Sequence, residues 1–254
     1  MIDLHSHVLP GVDDGAATIE DSLVMARAAV ADGIRWLAAT PHVRNDYPTA
    51  AETMERLVRV VRNAIDDAGV ELELLPGGEI ALDRLELLST EELRRFGLGG
   101  NPRYLLVEFP YVGWPLGVEE QLFGLRAQEF VPVIAHPERN REVQADPWRL
   151  EPLVRLGCLV QVTAASLDGR LGSSSAACGR ALVDGGLAHL VASDAHLPAV
   201  RTVGMAAAAR AVGSRELARW LTVDVPRAIV DDERLPERPA STSRRRLLGR
   251  LRRG

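Results

Sequence analysis

His5 and His7 stand one residue apart at the end of an apolar run, so on an extended strand both imidazoles point to the same face. His42, Glu79, Glu108, His136, Asp194 and His196 follow at wide intervals, and the adjacent Asp13 and Asp14 add two carboxylates. His-x-His alone says only that two polar side chains share a strand face. In company with so many further residues of ligand type, it predicts a catalytic metal cluster, because charged groups gathered out of water need cations to offset them. Imidazole and carboxylate without thiolate suit Mn²⁺, Fe²⁺ or Zn²⁺, not a cysteine-rich structural zinc site.

The elements that must position these residues read as short β-rich runs with helical patterns between them. The runs are Ile2–His7, Ile34–Ala39, Val70–Pro76, Arg103–Phe109, Val131–His136, Cys158–Thr163 and His189–Ser193. Seven strand-then-helix units predict an α/β chain with a parallel, barrel-like sheet in a single domain. His5, His7, His42, Glu79, Glu108, His136, Asp194 and His196 all fall at or just past the ends of these runs, so a barrel brings them to one rim, the C-terminal rim of its strands. His189 begins its run and belongs at the opposite rim, as a structural histidine. Thr18-Ile-Glu-Asp21 reads as a capping box, and Met54, Leu57, Val58, Val61, Ile65 and Ala68 mark one apolar helical face. No internal repeat is visible. Residues 1–235 read as one unit, and 236–254 read as a Pro- and Ser-containing tail that ends in arginines.

Composition removes several function classes. No signal-like or membrane-spanning apolar run is present, so a cytoplasmic protein is expected. Two cysteines, Cys158 and Cys178, fit a reducing compartment. A cysteine-based tyrosine phosphatase would place an arginine six residues after its nucleophile, where this chain has Ala164 and Asp184. The net charge of −5 hides six arginines in the last eleven residues; the remaining 24 basic residues face 35 acidic ones, a balance of −11 that disfavours nucleic-acid backbone. Every basic residue is arginine, which excludes Schiff-base and P-loop lysine chemistry.

Taken together, Met1-Ile-Asp-Leu-His-Ser-His7, Leu9-Pro-Gly-Val-Asp-Asp-Gly15, Thr40-Pro-His42, Gly78-Glu79, Val107-Glu-Phe-Pro110, Ala135-His-Pro-Glu-Arg-Asn140, Gln161-Val-Thr-Ala164 and Ala192-Ser-Asp-Ala-His196 carry a family resemblance. The chain resembles the PHP-type, manganese-dependent tyrosine phosphatases encoded with bacterial capsule and exopolysaccharide genes, in order and spacing over about residues 1–230. The resemblance implies a distorted seven-stranded β/α barrel, the PHP fold, with three divalent metal ions, Mn²⁺ first and Fe²⁺ or Zn²⁺ as alternatives. It implies His5, His7, Glu79 and Asp194 on the first metal, and a bridging Glu79 with Glu108 and His136 on the second. Asp14, His42 and His196 are implied on the third; the residues alone leave Asp13 and Asp14 open. Arg139 and Arg201 match the family's phosphate-binding arginines and, with Asp194 and His196, make the implied catalytic set.

Residue chemistry is compatible with those roles. Three divalent ions against four carboxylates leave a pocket of about +2, a field suited to a phosphate dianion. Two metals sharing a water lower its pKa from about 15.7 to about 7, which gives a hydroxide at neutral pH. A tyrosine phenolate, with a pKa of about 10, leaves with less acid assistance than an alkyl alcohol, and no separate general acid is identifiable. Tyr111, Val112 and Trp114 read first as packing residues and second as a wall for an aromatic ring; Glu138 and Asn140 read as braces for the loop of His136 and Arg139.

The expected substrate is the phosphotyrosine-bearing tail of a bacterial autokinase that controls polysaccharide export. Histidinol phosphate or another small phosphomonoester is the alternative, followed by an amidohydrolase-like reaction and a non-enzymatic scaffold. Arg244–Arg253 reads as a solvated, disordered end, with contact to an anionic membrane surface as the second reading.

Overall fold

A computed structural model describes residues 1–197 and 202–240. Nine parallel-pairing strands alternate with helices: β1 Ile2–Ser6, β2 Trp36–Ala39, β3 His42–Val43, β4 Glu73–Leu75, β5 Glu79–Ala81, β6 Tyr104–Glu108, β7 Val131–Ala135, β8 Leu159–Thr163 and β9 Leu190–Ala192. All seven expected strands are present. The two additional ones, β3 and β5, continue β2 and β4 after a break in each. Pro41 and the Pro76-Gly77-Gly78 turn account for the breaks, since proline gives no ladder donor and glycine weakens an extended segment.

Those interruptions divide the hydrogen bonding into two sheets. One has the order β1-β2-β4 and the other β3-β5-β6-β7-β8-β9. A closed ring of ladders is therefore not found among the described residues; the approach of β9 to β1 is a single parallel bridge, Ser6 with Ala195. Two backbone hydrogen bonds flank that bridge, from His7 to the Ala195 carbonyl at 2.9 Å and from Asp194 to the His5 carbonyl at 2.9 Å. Asp3 adds a clasp, accepting from the Ser193 amide at 2.9 Å and the His5 amide at 3.3 Å.

Burial explains why the strands read as near-continuous apolar runs. Every residue of β1, β6 and β8 is buried, as parallel strands covered on both faces require. Helix α1, Ile19–Ala31, begins at the expected capping box: the Thr18 side chain accepts from the Asp21 amide, and the Asp21 carboxylate accepts from the Thr18 amide. Helix α2, Ala51–Asp67, buries Met54, Leu57, Val58, Val61 and Ile65 on one face. Ala68, expected on that face, is instead the exposed residue that ends the helix. No helix among the described residues is long and apolar enough to cross a membrane.

Candidate metal centre

Parallel strands deliver their C-terminal ends to one side, and the register shows how closely. His42 pairs with Glu79, so two ligand-type residues of neighbouring strands stand side by side, and Glu108 pairs with Ala81, two residues past Glu79 on the same face of β5. His136 and Asp194 follow β7 and β9 with φ of 33° and 51°, two of four non-glycine residues at positive φ among the described residues. Such a conformation costs about 1–3 kcal/mol, and its presence at two ligand-type residues marks where the fold accepts strain to aim a side chain. Gly15 answers a different constraint, since a Cβ there would collide with the carbonyl of His7.

The imidazoles are locked by what lies behind them. His7 donates from Nδ1 to the Asp13 carboxylate at 2.8 Å, and His5 Nδ1 meets Gln161 Oε1 at 3.0 Å. The Gln161 oxygen also receives the backbone N–H of His136 at 3.3 Å, which can only donate. His5 and His7 thus carry their protons on Nδ1 and turn Nε2 lone pairs toward each other across 3.2 Å. Glu79 Oε2 lies 3.4 Å from both Nε2 atoms, and Asp194 Oδ1 lies 3.4 and 3.3 Å from them. Four electron-donating atoms facing inward repel one another unless a cation or protons sit among them. Ligand bonds of about 2.1 Å in a tetrahedron leave its corners about 3.4 Å apart, which these separations match.

Three further groupings adjoin the first. His196 holds its Nδ1 proton on the Asp194 carbonyl at 2.9 Å and presents Nε2 to Asp14 Oδ1 at 3.1 Å. His42 Nε2 is 3.4 Å from the same Asp14 oxygen, and His7 completes this group. Glu79 is common to the other two: it meets His136 Nε2 at 2.7 Å beside His5, and His42 Nδ1 at 2.8 Å beside Glu108. His136 and Glu108 therefore share Glu79 but fall in separate groups, and His42 faces both sides of the centre.

Electrostatics follow from this crowding. Burial pushes the His42 imidazole down, but the Glu79 and Asp14 carboxylates outweigh it and lift its pKa to about 9. His5 and His7 are raised in the same way against burial, by Glu79 with Asp194 and by Asp13 respectively. Burial would raise Glu79 and Asp194, yet the surrounding imidazoles hold both well below the usual carboxylate range. Protons and metal ions compete for the same nitrogens in such a site. The residues fit divalent cations by a second measure: Glu108 Oε1 is buried with no hydrogen-bond partner, a state costly for a carboxylate without a cation.

Spacing alone had left Asp13 and Asp14 open. Asp13 lies behind the imidazoles, accepting from His7 and from the amides of His42 and Gly15, whereas Asp14 reaches the ligand groups directly. Arg139 donates to Asp194 Oδ2 at 2.6 Å with its guanidinium 4.6 Å from the Tyr111 ring centre. Arg201 lies outside the described residues, as does the arginine-rich tail. His189, expected away from the centre, accepts the Val160 amide at 3.2 Å and lies near Trp220.

The expected braces carry their load. Glu138 accepts from the Thr163 amide and the Ser166 hydroxyl, while Asn140 donates to the carbonyls of Pro110 and Gly113. Residues that sequence reasoning did not assign are Gln161, Arg44 and Tyr47. Arg44 reaches Glu108 at 3.4 Å, and Tyr47 stacks on His42; only the position just after His42 hinted at either. Trp114 packs edge-on against Phe109, whereas Tyr111 stacks on His136 and stays 39% exposed.

Comparison with known proteins agrees with this arrangement. The model of the family described as capsular polysaccharide synthesis, CpsB/CapC, matches residues 1–230. The chain is 38% identical over 205 residues to the tyrosine-protein phosphatase YwqE of Bacillus subtilis, covering 77% of each. It is 29% identical over 245 residues to the tyrosine-protein phosphatase CpsB of Streptococcus pneumoniae, covering 92% of this chain and 99% of that one. A crystal structure from work on these two proteins, described as metal-dependent tyrosine phosphatases, superposes with a TM-score of 0.84 at 34% identity, over 95% of this chain and all of the other. A β-aspartyl dipeptidase of Fervidobacterium islandicum shares the fold alone, with a TM-score of 0.55 at 15% identity over 90% of this chain and 74% of that one.

Proposed function

The chain belongs to the CpsB/CapC family of capsular polysaccharide synthesis, and on that basis we propose that it is a metal-dependent protein-tyrosine phosphatase. The observation that carries the reading is the inward-facing set of His5, His7, Glu79 and Asp194, with imidazole tautomers fixed from behind by Gln161 and Asp13. Oriented nitrogens with bonded outer partners are the arrangement that metal ligation uses.

We assign the first metal to those four residues, a second to Glu79, Glu108 and His136, and a third to Asp14, His42 and His196, with Mn²⁺ as the preferred ion. Divalent ions held by these residues would make water nucleophilic near neutral pH and would offset the charge of a phosphoryl group. The protein's own side chains supply the rest. Arg139 offers planar, paired donors to phosphate oxygens, with Asp194 and Tyr111 fixing its guanidinium. Arg201 is its proposed counterpart, and Asp194, bonded to Arg139, completes the proposed catalytic set with His196. The proposed substrate is the phosphorylated tail of a bacterial tyrosine kinase, with the enzyme in the cytoplasm. We read residues 1–235 as one catalytic unit and the two sheets as an opened, distorted seven-strand barrel, a reading supported by the Ser6 to Ala195 bridge.

The test is phosphate release by metal-stripped protein after Mn²⁺, Fe²⁺ or Zn²⁺ is restored, from phosphotyrosine peptides and from histidinol phosphate. Faster turnover of the peptide, lost in His136→Ala and Arg139→Ala, is the expected result. Preference for histidinol phosphate overturns the substrate, and metal retention without turnover of either overturns the enzyme.

A further inference from the structure

A cleft of about 370 Å³ opens beside the ligand cluster, between the segment after β3 and the turn after β6. Glu108 belongs to both: it stands in a ligand group with His42 and Glu79, and it lines the cleft. Beyond Glu108 the chemistry changes, because Ala81, Leu82, Phe109 and Tyr111 make the walls largely apolar. Arg44 closes one side, held by Asp46 at 2.8 Å and lying 5.2 Å from the Tyr47 ring centre. A charged centre that runs directly into an apolar slot suits a ligand with an anionic head and an apolar body.

The size is at the lower end of small-molecule sites, about 300–1,000 Å³, which is ample for one ring and the backbone that bears it. Hydroxylated or charged alkyl groups would lose hydration against these walls without recovering hydrogen bonds. A planar ring loses little water, and guanidinium groups such as that of Arg44 pack well on ring faces. Tyr111, stacked on His136, supplies a flat surface at the point where centre and cleft meet.

We propose that this cleft seats the aromatic ring of the substrate while its phosphate lies at the metal centre, so that the cleft sets the preference for aryl over alkyl phosphates. The assignment rests on the phosphatase reading above. The expectation of Tyr111, Val112 and Trp114 as a ring wall is thereby narrowed to Tyr111, joined by residues of the β5 and β6 ends.

Two substitutions narrow the cleft at lining positions outside the ligand-bearing strands: Asp83→Trp at its exposed rim and Pro115→Trp on the turn after β6. Michaelis constants are measured for phenyl phosphate and for a phosphotyrosine peptide, together with competitive inhibition by inorganic phosphate, which needs only the charged centre. Loss of ring burial is expected to raise KM for both substrates about tenfold to a hundredfold, with phosphate inhibition unchanged. Unchanged KM in both variants overturns the proposal. So does a rise confined to the peptide, which would make the cleft a seat for a neighbouring residue, or a shift in phosphate inhibition in both variants. Failure of the wild-type protein to hydrolyse any aryl phosphate would instead overturn the phosphatase reading itself.

Discussion

Replacing Gln161 by leucine tests whether the centre is built from behind. Its single oxygen accepts from His5 Nδ1 at 3.0 Å and from the His136 amide at 3.3 Å, joining residues proposed on two different metals. Leucine is of similar size and removes the acceptor, leaving two buried donors unpaired at about 1–3 kcal/mol each. With about 2–4 °C of melting temperature per kcal/mol for a chain of this size, the metal-free variant should melt roughly 4 to 24 °C lower. Loss of the bond that fixes the His5 tautomer and ring orientation should separately weaken metal binding about 10- to 100-fold. Gln161→Glu keeps the acceptor, so it should retain most of the orientation that leucine loses. Calorimetric Mn²⁺ titration of the three proteins, with melting curves before and after metal, separates the two effects. Equal Mn²⁺ affinity in wild type and Gln161→Leu would refute the argument, because the imidazoles would then be oriented by something else.

Asp14→Asn should cut kcat/KM on phosphotyrosine peptide at least about 100-fold, whereas Asp13→Asn should retain measurable activity with weaker Mn²⁺ binding, since only Asp14 enters a ligand group. Steady-state rates at saturating Mn²⁺ distinguish the two. Chelation should lower the melting temperature as well as abolish turnover, because a ligand bound only to the folded state stabilises it by mass action; a calorimetric scan with and without chelator checks this. His189 gives an acid-sensitivity test away from the centre. Burial first, and then the charge of Arg238, lower its pKa to about 4, against about 6.5 in an unfolded chain. The unfolded state therefore takes up the proton first, so this contribution is complete above about pH 6.5 and lost as pH falls toward 4. His189→Gln should remove up to about 3 kcal/mol of that pH dependence, and parallel wild-type and variant denaturation profiles from pH 4 to 7 would contradict it.

The sequence by itself determined most of the site, and the reason is local. Period-two burial makes His5 and His7 share a face, and parallel strands with short connections put Glu79, Glu108, His136 and Asp194 at the same ends without any need to know their packing. Its apolar runs likewise located seven strands, because strands covered on both faces admit few polar residues. Other features depended on residues far apart in the chain and were fixed only by tertiary structure. Whether Asp13 or Asp14 reaches the centre depends on a turn pinned by Gly15 against His7, and both carboxylates look alike to spacing. Gln161 is an ordinary strand residue until β8 lies beside β7 and its oxygen meets His5 and His136. The division into two sheets turns on how β2 and β4 cross the breaks at Pro41 and Pro76, where the ladder must re-form with new partners. The cleft beside Glu108 likewise exists only because the segments after β3 and β6, more than sixty residues apart in sequence, meet across β5.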